Sequence, residues 1–227
     1  MKKLILVAVI SMALTACATN DPNQKAKTGA AVGAIVGAVL GHSIENDKGG
    51  LIIGAAVGAM AGTGIGHYMD NQQKEMEAAL AAEQANHNIE VQRLKNETLK
   101  IDIASEVSFD FGSAALKPAF MPTLGKVAGI LNRYPQTIIH VVGHTDSVGS
   151  ESYNMELSAM RAQSVVDYFA SQSIIHSRLQ TVGRGEVEPR ATNETEAGRQ
   201  LNRRVEIYVK PVIEGQESEA YETPQGY

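Results

Sequence analysis

The chain has 227 residues, 44% of them hydrophobic, with one cysteine and a formal charge of −5; that length carries one ordinary core plus accessory segments rather than two large domains. A lone cysteine excludes an internal disulfide and any site built from several thiolates. From Thr98 to Lys210 the twelve basic side chains are balanced by twelve acidic ones, so no basic face exists to bind phosphates and nucleic acid is excluded as a partner.

At the N-terminus Met1, Lys2 and Lys3 precede the apolar run LILVAVISMAL and the small residues Thr15, Ala16, Cys17 and Ala18. A charged start, an apolar stretch and a cleavage site predict a signal peptide over residues 1–16, to be excluded from the fold. LTAC, residues 14–17, resembles the bacterial lipobox. The resemblance implies that Cys17 is acylated and becomes the mature N-terminus of a lipidated tether over residues 17–28. Each buried methylene is worth ~0.8 kcal/mol, so three acyl chains would anchor the protein permanently. In the lipoproteins it resembles, Ala18 rather than aspartate after the cysteine implies transfer to the outer membrane. Loss of Lys2 and Lys3 takes the charge from −5 to −7.

Glycine then recurs at 29, 33, 37 and 41, and again at 50, 54, 58, 62 and 66. A spacing of four puts each set on one helix face. In an exposed helix each glycine would cost roughly 1 kcal/mol relative to alanine, which backbone-to-backbone helix packing can offset. The polar break HSIENDKGG predicts a helical hairpin over residues 29–70. Arms of ~25 to 30 Å just reach across a hydrocarbon core. A membrane-embedded hairpin, a homo-oligomer packed through the glycines and a soluble tether all remain open. The pattern resembles the glycine-zipper segment of several outer-membrane lipoproteins.

Residues 71–97, NQQKEMEAALAAEQANHNIEVQRLKNE, hold good helix formers and neither glycine nor proline. They predict a helical linker, either a spacer of ~40 Å or a solvated helix lying loosely on its own domain. Between 98 and 212 comes the folded domain. Strands are expected at 99–104, 137–145, 178–183 and 204–210, and helices at 113–134 and 152–171. The order β-α-β-α-β-β predicts an α+β fold in two layers, helices on one face of a small mixed sheet. Residues 213–227 are polar, lack an apolar period, and read as a disordered tail.

One position breaks the pattern of the second helix. At 100° per residue Asn154, Leu157, Arg161, Val165 and Tyr168 share an arc of about 80°, so Arg161 points at the body of the domain. A buried guanidinium needs an anion, because it cannot shed its proton. Asp146, at the end of the preceding strand in GHTDSVGS, is the carboxylate the turn carries toward it, with Gly143 and Gly149 allowing close approach. Either the two neutralise each other or they hold a zwitterion, Asp146 taking an ammonium and Arg161 a carboxylate. Thr145 and Asn154 would add orienting hydrogen bonds.

TLKIDIASEVSFDFGSAALKP, IIHVVGHTDSVGSESYNMELSAMRAQSVVDYF, GRGEVEPRATN and LNRRVEIYV together resemble the OmpA-like C-terminal domain over residues 98–212. That family binds peptidoglycan non-covalently, its aspartate and arginine gripping the two charged ends of the diaminopimelate side chain. By motif match these are Asp146 and Arg161, with Thr145, Asn154 and Leu157 lining the same pocket. Met160 stands where relatives often carry a second basic residue. The implied protein is an outer-membrane lipoprotein with a periplasmic wall-binding domain; the competing reading is a glycine-zipper oligomer or membrane-inserting hairpin.

Other candidates are weaker. His140, His144 and Asp146 fall on one side of a strand, but zinc needs ligands from better separated positions, so His144 reads as a pocket-rim or core residue. Ser147 and Ser150 near His144 lack a third member for nucleophilic catalysis. GRGEVEP opens no helix and is no phosphate loop. Neither an enzyme nor a cofactor or metal is implied. Asp110 reads as a cap for the first helix rather than a ligand contact. Asn202, Arg203 and Arg204 open the last strand, from which one could reach the pocket.

Overall fold

The computed structural model describes residues 58–225; the expectations for Cys17 and for most of the glycine hairpin lie outside them. Among the described residues no helix is long and apolar enough to cross a membrane.

Five strands form one mixed sheet: β1 (Ile89–Arg93), β2 (Leu99–Ala104), β3 (Thr137–His144), β4 (Leu179–Gly183) and β5 (Arg204–Pro211). They lie in the order β1-β2-β5-β3-β4, antiparallel except for the β3-β4 pair. The expected strands and helices are therefore present, and β1 is an added edge strand. Its residues were expected to be helical. Asn86 ends the preceding helix, His87 sits at φ 56°, and Val91 pairs with Ile101, so burying the apolar residues of IEVQR against β2 outweighs the helix propensity of its neighbours.

Alternation along the strands separates two faces. Ile101, Ile103, Ile139, Val141, Val205, Ile207 and Val209 join the main apolar core, covered by α4 (Met121–Arg133) and α5 (Glu151–Ser171). On α4 the buried side is Leu124, Val127, Ala128, Ile130 and Leu131. This helix starts at Met121 rather than near Ser113. Pro118 disfavours helical backbone at Lys117, and Pro122 fits the first turn, where its missing N–H costs nothing. At the other end Arg178, 2% exposed, donates to the carbonyls of Leu131 and Tyr134 at 3.0 Å, satisfying groups that α4 itself leaves open. Ser150 caps α5 by accepting from Tyr153 N at 3.2 Å. Gly143 lets α5 sit directly on β3, since a Cβ there would lie 2.1 Å from Ser158 O.

The opposite face is polar yet buried. Glu206 accepts from Tyr208 Oη (2.7 Å) and Arg204 Nε (2.8 Å), with Lys100 Nζ 2.7 Å away and His144 Nε2 at 3.2 Å. His140 donates to Ala220 O at 2.8 Å. Ala220 belongs to α7 (Glu217–Tyr221), inside the segment expected to be disordered. The tail orders because it covers this face: Ala220 packs with Ile138 and Val212, Lys210 Nζ donates to Glu222 O at 2.8 Å, and Arg184 Nη2 donates to Pro224 O at 3.1 Å.

The segment before the sheet also differs from a free spacer. α1 (Ile65–Ala79) buries Ile65, Met69, Gln72 and Met76, and Glu75 bonds Arg133, the last residue of α4, and Tyr134 just after it. α2 (Ala81–Ala85) follows, and the chain then turns back into β1. Even the end of the expected second glycine arm is part of this body. Met60 N donates to Val212 O at 2.9 Å and Glu214 N to Met60 O at 3.0 Å.

Candidate functional site

The turn after β3 carries Asp146, and the buried side of α5 carries Arg161. Gly149 makes the turn possible with φ +110°, a backbone that L side chains rarely adopt. α3 (Ser105–Ser108) and α6 (Glu196–Asn202), both short, close the other sides. Between them is a cleft of about 420 Å³. Its walls carry four cations, Lys117, Arg161, Arg199 and Arg203, and four carboxylates, Glu106, Asp110, Asp146 and Glu196. Phe109, Phe111 and Val148 supply apolar surface, and Phe111 is 94% exposed.

Asp146 and Arg161 thus share one cleft, but they do not neutralise each other. Asp146 Oδ2 pairs with Arg203 Nη1 at 2.7 Å, and Oδ1 accepts from Val148 N at 3.1 Å. Arg203 also reaches Glu106 at 2.7 Å and Glu196 at 2.8 Å; these three carboxylates raise its pKa above the ordinary value despite the opposing effect of burial. Arg161, only 4% exposed, donates through Nε to Ser113 O at 2.9 Å and stacks its guanidinium 5.3 Å from the Phe109 ring centre. Burial pushes its pKa down, partly offset by Tyr153 and Asp146 and reinforced by Arg203. Among the described residues no carboxylate lies within ion-pair distance of Arg161. The arrangement is an unpaired, desolvated guanidinium beside a carboxylate that a second arginine holds in place.

Thr145, Asn154 and Leu157 stand behind this wall and do not line it. Thr145 N donates to Gly185 O at 2.8 Å. Asn154 Nδ2 bonds Asp146 O at 3.2 Å and Glu186 at 2.6 Å, so it fixes the turn that aims Asp146. Leu157 is buried. Asp110 makes no helix cap; it lies on the cleft wall, 3.4 Å from Lys117 Nζ. His144 is a buried partner of Glu206 and no rim residue. Arg203 is the participant that spacing alone left unassigned among three neighbours. The available signal was strand parity: it precedes Arg204, whose side chain lies on the polar sheet face with Glu206.

The OmpA family model matches residues 108–203, and the YMGG-like Gly-zipper model matches residues 1–70. "Probable lipoprotein YiaD" of Escherichia coli (strain K12) is 40% identical over 136 residues, 60% of this chain and 62% of that protein. "Peptidoglycan-binding protein ArfA" of Mycobacterium tuberculosis (strain ATCC 25618 / H37Rv) is 42% identical over 103 residues, 45% of this chain but 32% of its own length. The chain therefore spans less than two thirds of either relative. Among solved structures, the cell wall anchor of the T6SS from Pseudomonas aeruginosa is 29% identical with a TM-score of 0.55, covering 61% of this chain and 99% of that one. With these likenesses added to the mixed sheet and its cleft, residues 108–203 are similar to the OmpA family and residues 1–70 to the YMGG-like Gly-zipper family.

Proposed function

We propose that the protein is an outer-membrane lipoprotein, acylated at Cys17, whose periplasmic domain binds the diaminopimelate stem peptide of peptidoglycan and so ties membrane to wall. The supporting observation is the separation of Arg161 from Asp146: a buried guanidinium with open terminal nitrogens, beside a carboxylate already ordered by Arg203 and Val148 N. The free end of a diaminopimelate side chain bears an ammonium and a carboxylate on one carbon. The carboxylate takes the fork of Arg161 in bidentate fashion. The ammonium takes lone pairs of Asp146 that Arg203 and Val148 leave open, each carboxylate oxygen having two. The aliphatic stem of the ligand runs along Phe111 and Val148. No bond is made or broken, and the wall is held by charge pairing in a partly desolvated cleft.

Pull-down on purified sacculi tests this reading. Asp146→Ala and Arg161→Ala are each expected to lose retention while keeping the wild-type circular dichroism spectrum; retention by folded variants of both contradicts the assignment. The anchor has its own test. Palmitate should label the wild type and not Cys17→Ala, and equal labelling would refute acylation at that position.

A further inference from the structure

Arg203 lines two cavities. Besides the cleft just described, it borders a second one of about 580 Å³ between β1 and α6, whose wall includes Asn88, Glu90, Arg190, Gln200 and Leu201. The two are joined through α6 and α3: Gln200, on the second cavity, donates to Glu106 on the first at 2.5 Å, and Glu106 is itself a partner of Arg203. Within the second cavity Arg190 is only partly used. Glu90 at 3.0 Å and Asp102 at 3.4 Å both address its Nη2, so its Nη1 and Nε have no side-chain partner among the described residues. Two acids on one nitrogen leave the rest of a guanidinium available for a carboxylate. Leu201, 55% exposed, gives an apolar floor, while the amides of Asn88 and Gln200 suit a peptide group. β1 ends the sheet, and such an edge offers main-chain donors and acceptors to an extended peptide.

We propose that the second cavity binds the carboxylate-bearing residue adjoining diaminopimelate in the same stem peptide, so that one wall peptide passes over Arg203 from one cleft to the other. This rests on the reading of the first cleft as the diaminopimelate site. The adjoining residue is a γ-linked glutamate, whose free α-carboxylate is the chemical match for Arg190.

The test is calorimetric titration of the full chain in detergent with two probes, free meso-diaminopimelate and the tetrapeptide L-Ala-γ-D-Glu-meso-diaminopimelate-D-Ala. Arg190→Gln removes the cation. Because that change also strips a partner from buried Asp102, Leu201→Glu serves as a second variant, placing a negative charge in the same cavity from an exposed position. Both should weaken the tetrapeptide about tenfold, the scale of one charge-assisted hydrogen bond, and leave free diaminopimelate within about twofold of wild type. Unchanged tetrapeptide affinity in Leu201→Glu, or equal loss of both probes in that variant, overturns the second site. Failure of the wild type to bind free diaminopimelate would instead remove the first-cleft reading, and this inference with it.

Discussion

At the scale of single residues, the domain spends its buried charge unevenly. Glu206 sits among Lys100, Arg204, His144 and Tyr208; burial opposes its charge, but His144 and Arg204 hold its carboxyl well below the usual range. Asp102 is pushed the other way by burial and by Glu206, with Lys100 and Arg190 opposing. His140 and His144 both have lowered pKa values, chiefly because burial penalises their charged form, with their Ala220 and Glu206 partners only partly compensating. An unfolded chain protonates these imidazoles near pH ~6.5 while the folded one resists, so the unfolded state binds more protons and acid favours it. Their contribution is fully present above about pH 6.5 and is lost as pH falls from there toward the depressed folded values. We expect the melting temperature to fall between pH 7.5 and 5.5, and His140→Gln to flatten part of that slope; a pH-independent melting temperature in the wild type would contradict this account.

At the scale of elements, α1 belongs to the domain that follows it. Met69, Met76 and Leu80 are fully buried, and Tyr68 stacks edge-on against Tyr134 at 5.0 Å between ring centres. Met76→Ala should therefore destabilise the domain by about 2 to 5 kcal/mol in urea unfolding, as expected for a truncated core residue. A change within a few tenths of a kcal/mol would mean that α1 is a detached spacer. The elements of the main sheet were legible in the sequence, because β2, β3 and β5 read as apolar or alternating runs and α5 has a clear stripe. β1 was not, since only Ile89 and Val91 mark it and the surrounding residues favour helix. Nor was α7, where Ala220 and Tyr221 are the sole apolar signals and the covered face lies on strands far earlier in the chain. Within the site, Asp146 and Arg161 were legible from one turn and one helix stripe. The Asp146–Arg203 pair was not: its partners lie 57 residues apart, and only the β3-β5 register brings them together.

For the whole molecule, the described body begins at residue 58, with Met60 clasped between Val212 and Glu214. The chain enters beside the far end of β5, while the start of β5 delivers Arg203 to the cleft. A central strand bonded on both sides thus joins the point of chain entry to the proposed wall site, which suits a tether that carries load across a hydrogen-bonded sheet. Among the described residues, α1, α2 and β1 are folded onto the domain rather than extended from it as a spacer.

On the proposed reading, selectivity rests on the unpaired guanidinium of Arg161, which would demand a carboxylate that a lysine side chain does not possess. The direct measurement is titration of the full chain with stem peptides that differ only in carrying meso-diaminopimelate or L-lysine at the third position. The account predicts that the lysine peptide binds roughly ten- to a hundredfold more weakly, the cost of leaving a buried charge without its partner. Equal affinity for the two peptides would contradict it.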